Sequence, residues 1–241
     1  MKEHFCQAME EYDAYTTKAL SLDKERQAWQ SVYRKILSTG GNKILNAGCG
    51  PGTEAIALAQ MGFEVTAFDF SPQMLEATRA HASEYEVQLE TVEGDAEHLP
   101  FPDGSFDYVV SNYMMWAVPN PQNAINEFHR VLKNDGILAY ADTRKETEKR
   151  SWFHRIWVKK AMKMRDMDHN GHRNDTTPEQ KEFFKGLWCY IEDRPAKDLE
   201  MVDAAGFRDV RVDRKLNKKV YKGSRFIEYG YTDAFMIIAR K

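Results

Sequence analysis

The stretch that decides the fold is ILNAGCGPGT, residues 44–53. Its first half is apolar and predicts a buried strand, and its second half places glycines at 48, 50 and 52 ahead of a helical pattern. Glycine at such a junction lets the backbone turn tightly and lets a ligand approach within contact distance. Amide groups at the start of the following helix can bind an anionic or polar ligand. The alternative is a glycine-rich turn that binds nothing.

Short apolar runs alternate with helical patterns around this turn. The predicted strands are 43–47, 64–69, 87–92, 106–111 and 136–142, and the predicted helices are 53–61, 72–83 and 122–133. Ser71-Pro72 and Asn120-Pro121 support two of the helices, because each places a capping residue before a proline in the first turn. The alternation predicts an α/β protein, with a parallel sheet covered by helices on both faces and joined by right-handed crossovers.

The flanking segments have other patterns. Residues 1–40 are predicted to be helical, since Trp29, Val32, Tyr33, Ile36 and Leu37 share one helical face. Two aromatic-bearing helical patterns, near 150–165 and 178–191, predict a helical cap. A helix near 195–205 is followed by strands near 207–215 and 231–239, which we expect to pair antiparallel. We therefore expect a helical lid (1–40), a core (41–143 and 195–241) and a cap insertion (144–194).

Composition disfavours several classes of protein. The 241 residues carry a net charge of −3, without the basic excess of a nucleic-acid-binding protein. No apolar run reaches the roughly 20 residues that span a bilayer, and residues 1–5 lack the layout of a signal peptide. Cys6, Cys49 and Cys189 are too widely spaced for a zinc site or a disulfide framework. We expect a cytoplasmic protein without a metal; its oligomeric state is not predicted.

The spacing of the glycines distinguishes two classes of ligand. In the dinucleotide fingerprint G-x-G-x-x-G the third glycine stands three residues after the second. Here it stands two residues after, which disfavours a pyrophosphate. The form G-x-G-x-G after a buried strand resembles the first motif of the class I S-adenosylmethionine-dependent methyltransferases.

Further segments extend this resemblance in the order that the family has them. Asp69 ends the second predicted strand, and GDAEHLPF at 94–101 matches the family segment G-D-A-x-x-L-P-F. DGSFD at 103–107 and VLKNDGIL at 131–138 match the leads into the fourth and fifth strands. The resemblance covers about residues 43–142, and it is strongest to the small-molecule methyltransferases typified by the enzymes of ubiquinone and menaquinone biosynthesis.

The resemblance implies a fold and a reaction. The fold is a Rossmann-like seven-stranded sheet of order 3-2-1-4-5-7-6, in which strand 7 is antiparallel. The cofactor is S-adenosyl-L-methionine, and the reaction transfers its methyl group to an N, O, S or C atom of a small-molecule acceptor. A nicotinamide-dependent oxidoreductase and a non-catalytic S-adenosylmethionine-binding partner protein remain alternatives.

The resemblance also implies which residues contact the cofactor. Asp69 is expected to accept both ribose hydroxyls, although it can instead cap a helix. Asp95 is expected to bind the adenine amino group, beside the backbone amide of Ala96. Asn46 stands where the family usually has an acidic residue, so it offers the methionine ammonium an amide oxygen without a full charge. Cys49 is interpreted as a small filler and not a nucleophile. The other expected cofactor residues are Gly48, Gly50, Gly52, Phe70, Ser71, Met74, Asn112 and Tyr15.

The acceptor site is predicted from aromatic residues. Tyr113 and Trp116 follow the fourth strand, which in the family passes beside the cofactor's sulfonium. Aromatic side chains of the cap are expected to form an apolar pocket above it. Trp188 lies on a strong apolar stripe and is expected to fix the cap to the core. His154 is either a general base or a packed surface histidine, and no catalytic residue is assigned. The predicted acceptor residues are Tyr113, Trp116, Trp152, His154 and Trp157.

Overall fold

The structure is a computed structural model. It describes residues 23–37, 40–144, 152, 156–161, 187–191, 193–221, 226 and 233–241. The predictions for Tyr15, for His154 and for most of the two cap helices lie outside these residues. Of the cap, residues 156–161 are helical.

A seven-stranded sheet of order β3-β2-β1-β4-β5-β7-β6 forms the centre of the molecule. Strands β1 to β5 pair in parallel, and β7 pairs antiparallel with both β5 and β6. The predicted sheet, its strand order and its antiparallel last strand are confirmed. The strands are β1 (Lys43–Ala47), β2 (Glu64–Asp69), β3 (Glu90–Glu93), β4 (Phe106–Asn112), β5 (Leu132–Arg144), β6 (Arg208–Asp213) and β7 (Asp233–Arg240).

Helices cover both faces of this sheet, as the sequence predicted. Alternate strand residues point to opposite faces, so that Ile44 packs with one set of helices and Leu45 with the other. Helices α1, α2, α3 and α7 lie on the face of Ile44, and α4 and α6 lie on the face of Leu45. The helices are α1 (Asp23–Ile36), α2 (Thr53–Ala59), α3 (Pro72–Glu84), α4 (Pro121–Val131), α5 (Trp188–Ile191), α6 (Ala196–Ala204) and α7 (Leu216–Val220).

The predicted apolar face of α1 is its packing face. Trp29, Val32, Tyr33 and Leu37 are buried, and Ile36 is partly buried against the same cluster. The ring centroids of Trp29 and Tyr33 lie 5.6 Å apart in a stacked arrangement. Helix α1 therefore lies against the sheet as part of the core, close to the start of α2.

Some predicted boundaries were wrong by a few residues. Strand β3 begins at Glu90 and not at residue 87, because the Val87 amide donates to Ala82 O and closes the end of α3. Strand β5 begins at Leu132, directly after α4. Asn120 occupies the N-cap position of α4 but does not cap it. Its side-chain amide donates instead to Glu97 Oε2 at 2.9 Å.

The described residues contain neither a membrane-spanning helix nor a cluster of metal-binding side chains. No helix there is long and apolar enough to cross a membrane. Within the same residues, no three or more histidine, cysteine, aspartate or glutamate side chains are grouped to hold a metal ion.

Candidate cofactor-binding site

The glycine loop joins β1 to α2 at the carboxyl edge of the sheet. Gly48, Gly50 and Gly52 have backbone φ angles of +67°, +53° and +96°, which residues other than glycine rarely adopt. A Cβ at Gly48 would lie 2.4 Å from the side chain of Met114, and one at Gly52 would lie 2.9 Å from that of Thr78. Both torsion and space therefore require glycine at these two positions.

The amide groups of this loop are hydrogen-bonded inside the protein. Gly48 N and Cys49 N both donate to Phe68 O, at 2.8 and 3.0 Å. Gly50 N donates to Asp69 Oδ2 at 2.9 Å, and Gly52 N donates to Cys49 O at 3.0 Å. These bonds follow from burial, since a buried N–H needs an acceptor. The amides of the glycine loop hold it against β2, so ligand contacts here depend on carbonyl groups and side chains.

Asp69 fixes the glycine loop from the end of β2. Its side chain is buried, with Oδ2 accepting from Gly50 N and Oδ1 accepting from Ser71 N at 3.0 Å. Burial raises the pKa of this carboxyl above its ordinary value. The helix cap is Ser71, whose Oγ accepts from Met74 N at 3.3 Å, as the sequence predicted. The amides of Gly50, Ser71 and Phe70 all donate to this carboxylate, which has about four acceptor sites, so ribose binding by Asp69 stays a prediction.

The loop that carries Asp95 lies beside Asp69. Strand β3 pairs with β2 so that Glu93 lies opposite Asp69, and Gly94 N donates to Asp69 O at 3.1 Å. Asp95 is exposed, and its Oδ1 accepts from Glu97 N at 2.9 Å. The structure thus brings the predicted ribose and adenine residues to one edge of the sheet. Ala96 and Phe70 are half-buried there, whereas Met74 is buried at the start of α3.

Cys49 is buried within the glycine loop. Its Sγ lies 3.7 Å from Thr78 Oγ1. Burial, and secondarily the charge of Asp69, raise the pKa of this thiol well above its ordinary value, so that it stays protonated. A protonated buried thiol is a poor nucleophile, which agrees with the interpretation of Cys49 as a filler.

A narrow cleft of about 90 Å³ lies between the glycine loop, the end of β4 and α1. Asn112 projects into it from β4, and its Nδ2 donates to Tyr33 Oη at 2.6 Å and also to the Glu54 carboxylate. Burial raises the pKa of Glu54. Asn112 was predicted from the resemblance, but Glu54 and Tyr33 were not. The described lining residues are Glu25, Arg26, Trp29, Gly48, Cys49, Gly50, Pro51, Thr53, Glu54, Ala57, Asn112, Tyr113 and Tyr221.

Several buried oxygen atoms of β1, β4 and the start of α2 have no hydrogen-bond partner within the described part of the chain, and two of them belong to Thr53 and Asn112, which line the cleft. They are Asn46 Oδ1, Thr53 Oγ1, Ser111 Oγ and Asn112 Oδ1. Asn46 and Asn112 are almost fully buried, and Asn46 Nδ2 donates to Val110 O at 3.2 Å. A buried acceptor without a donor costs about 1–3 kcal/mol. The cleft is therefore suited to a ligand that brings hydrogen-bond donors.

The predicted acceptor residues after β4 lie at the same carboxyl edge. Tyr113 has a φ of +55°, and its amide donates to Ala141 O at 2.8 Å. Trp116 is held by two bonds, one from its indole Nε1 to Tyr113 O at 2.6 Å and one from its amide to Asp142 Oδ2 at 2.9 Å. Tyr113 lines the cleft, and Trp116 is half-buried next to it.

A buried ionic network lies behind this segment. Arg194 is enclosed between two carboxylates, with Nη1 at 2.8 Å from Asp142 Oδ2 and Nε at 2.8 Å from Asp198 Oδ2. Tyr140 Oη donates to Asp198 Oδ1 at 3.0 Å. The guanidinium lies 4.5 Å from the ring centroid of Trp188, whose Nε1 donates to Met115 O at 3.0 Å. Trp188 therefore fixes α5 to the segment after β4, as expected of an anchor.

The two other cap tryptophans lie elsewhere among the described residues. Trp152 has 67% of its side chain exposed. Trp157 is half-buried, with its ring centroid 5.5 Å from that of Phe226. Neither is among the described residues that line the cleft. Their role in an acceptor pocket stays a prediction.

Comparison with known proteins agrees with this geometry. Residues 45–140 match the family model of the methyltransferase domain. A demethylmenaquinone methyltransferase of Staphylococcus epidermidis is 39% identical over 124 residues, which are 48% of this chain. The chain spans about half of that relative, 51% of its length.

Solved structures share the fold at low identity. A methyltransferase of Thermotoga maritima superposes with a TM-score of 0.61 at 20% identity, over all of both chains. The [4+2]-cyclase SpnF has a TM-score of 0.59 at 19% identity, over 90% of this chain and 80% of its own.

The fold, the glycine loop and the matched residues 45–140 all resemble those of the class I S-adenosylmethionine-dependent methyltransferases. Within that class, the chain is similar to the demethylmenaquinone methyltransferases.

Proposed function

We propose that this protein is an S-adenosylmethionine-dependent methyltransferase that acts on a small organic acceptor. The observation that carries the proposal is the glycine loop held by Asp69 at the carboxyl edge of β2. Glycine lets the loop take its torsions and pack against Met114 and Thr78, and the loop so placed lines the cleft. The similarity to demethylmenaquinone methyltransferases favours a hydrophobic cyclic acceptor. We also propose that the enzyme has no nucleic-acid partner, since the chain has no basic excess. Its proposed location is the cytoplasm.

The residues at this edge fit the chemical groups of the cofactor. Asp69 would hold the ribose, and Asp95 with the Ala96 amide would hold the adenine. The amino-acid end would enter the cleft, where Asn112 Oδ1 has no donor among the described residues. When bound, the cofactor supplies a methyl group on a sulfonium, which is already an activated leaving group. The protein's part is to orient the two reactants and exclude water, and Tyr113 and Trp116 are placed to wall the acceptor side.

Two other classes of function make different predictions. A nicotinamide-dependent oxidoreductase would bind NAD, but its pyrophosphate needs the longer glycine spacing. A non-catalytic binding protein would bind S-adenosylhomocysteine without turnover. The fold is also similar to that of a [4+2]-cyclase, so the fold alone does not define the reaction. Binding and turnover must therefore be measured separately.

Calorimetry and a turnover screen test the proposal. S-adenosylhomocysteine should bind and NAD should not. Labelled S-adenosylmethionine, incubated with the protein and small-molecule fractions grouped by chemical class, should label one class. Tight NAD binding without S-adenosylhomocysteine binding would overturn the proposal, and cofactor binding without any labelled product would favour the non-catalytic alternative.

A further inference from the structure

Glu54 is a half-buried acid that lines the cleft beside the glycine loop. It lies in the first turn of α2, and its carboxylate accepts from the Asn112 side chain and from its own backbone amide. No ion pair neutralises it among the described residues. A carboxylate that is shielded from water is costly unless a cation or several donors accompany it. The donors to Glu54 are its own amide and Asn112, so a cation in the cleft would stabilise its charge further.

The charges around Glu54 favour a cation. Glu25 also lines the cleft and acts electrostatically on Glu54. Tyr33 and Cys49, two other titratable neighbours, are neutral, because burial raises the pKa of the hydroxyl and of the thiol well above their ordinary values. Arg26 lines the cleft too, but its guanidinium lies over the ring of Tyr85, 5.0 Å from the centroid.

Asn112 gives an independent indication of the ligand. The Glu54 carboxylate can only accept hydrogen bonds when ionised, so it orients the Asn112 amide with Nδ2 toward itself and Tyr33. Among the described residues Asn112 Oδ1 is then left buried without a donor, although the residue lines the cleft. Thr53 Oγ1, on another residue that lines the cleft, is also buried without a partner there. A ligand with several N–H donors can satisfy both oxygens.

A primary ammonium meets both requirements, since it carries a full positive charge and three donors. We propose that Glu54 and Asn112 bind the ammonium group at the amino-acid end of the cofactor. Glu54 supplies the negative charge that Asn46, as a neutral amide, does not. The inference rests on the proposed function, because it assumes that the cofactor's amino-acid end enters this cleft.

Three ligands separate the contribution of the ammonium from that of the rest of the cofactor. S-adenosylhomocysteine carries the ammonium, its deaminated analogue keeps only the carboxylate, and 5′-methylthioadenosine lacks the whole amino-acid end. Affinities are measured by calorimetry for the wild type and for Glu54→Gln. Glu76→Gln, at an exposed position on α3, is the matched control.

We expect Glu54→Gln to weaken S-adenosylhomocysteine by about 10- to 100-fold, the range of a lost charge-assisted hydrogen bond. The deaminated analogue and methylthioadenosine should change by less than about twofold, and Glu76→Gln should change none of the three. Glu54→Asp keeps the charge one methylene further back and should give an intermediate loss. A melting curve confirms that each variant is folded.

Equal weakening of S-adenosylhomocysteine and its deaminated analogue would overturn the inference and leave the proposed function standing. An unchanged affinity in folded Glu54→Gln would do the same. If the wild type binds none of the three ligands, the proposed function itself fails and the inference fails with it.

Discussion

Arg194 Nη1 lies 2.8 Å from Asp142 Oδ2, and both side chains are fully buried. Asp142 belongs to β5, and its Oδ2 also accepts the amide of Trp116. The ion pair thus connects the start of α6 to the sheet and to the segment that leads from β4. That segment is proposed to wall the acceptor site, so its position depends on a charge pair that does not itself line the cleft.

Removing the cation of this pair should be costly. We expect Arg194→Met to lower the free energy of unfolding by about 3–5 kcal/mol, because it leaves the Asp142 and Asp198 carboxylates buried without their partner. Urea unfolding measures the change. Lys197→Met removes an exposed partner of Glu200 and should cost less than about 1 kcal/mol. Equal losses of unfolding free energy in the two variants would show that the buried ion pair stabilises the fold no more than the exposed one.

Replacing Asp69 should affect every nucleoside ligand alike. Asp69→Ala is expected to cost about 2–4 kcal/mol of affinity for S-adenosylhomocysteine, because hydrogen bonds to a charged group contribute about 1.5–3 kcal/mol each and partly overlap. Methylthioadenosine, which keeps the ribose, should lose as much. Calorimetry on both ligands checks this, with Glu76→Ala as the control. Unchanged dissociation constants in a folded variant would limit Asp69 to its bonds with Gly50 and Ser71.

Glu54→Gln should stabilise the protein in the absence of ligand. Because burial raises the pKa of Glu54, the folded state favours the protonated carboxyl. Stability from this group is fully present below the unfolded pKa of about 4.3 and is lost as the pH rises through the raised folded pKa. The melting temperature of the variant should therefore exceed that of the wild type at pH 8 and match it near pH 4. The opposite order at pH 8 would show that the ionised carboxylate is stabilised within the fold.

The thiol of Cys49 should be unreactive in the folded protein. Its pKa is raised by burial, so little thiolate is present at pH 8. Iodoacetamide should label Cys49 far more slowly in buffer than in denaturant, as peptide mass spectrometry can measure. Cys49→Ala should keep its affinity for S-adenosylhomocysteine within about threefold. Rapid labelling of the native protein would contradict the interpretation of Cys49 as a filler.

The cap tryptophans should separate into two groups. Trp188→Ala is expected to cost about 3–5 kcal/mol of stability, since it removes a large side chain packed on Arg194 and a bond to Met115 O. Trp152→Ala, at an exposed position, should change stability by about 0.5 kcal/mol or less. If Trp152 and Trp157 form the acceptor pocket, their alanine variants lower turnover while cofactor affinity stays constant. Large stability losses at both would leave that pocket to Tyr113 and Trp116.

The sheet was predictable because its evidence is local. The strand at Ile44 and the glycines that follow it are neighbours in sequence, and torsions at Gly48 and Gly52 require those residues. The cluster of Glu54, Asn112 and Tyr33 was not predictable, since Asn112 and Tyr33 are 79 positions apart. Tyr33 lies on an apolar helical stripe and was assigned to packing alone.

Arg194 was missed for a different reason. Arginine is almost never fully buried unless it is paired, so sequence alone favours an exposed side chain. Its two carboxylate partners lie on β5 and α6, and nothing in the spacing links Asp142 to Arg194. The predicted N-cap at Asn120 failed similarly, because its Nδ2 donates to the distant Glu97 while its oxygen accepts no helix amide.

The position of β7 between β5 and β6 has a consequence for synthesis on the ribosome. Strand β6 is synthesised before β7, and β7 is its neighbour in the sheet. Strand β6 therefore has no pairing partner until β7 has been made. Four of its six residues, in the sequence RDVRVD, are charged, and charges on an unpaired strand discourage pairing with other chains. We therefore expect the nascent chain to stay free of aggregation during this interval. The sheet is complete only when β7 pairs with both β5 and β6.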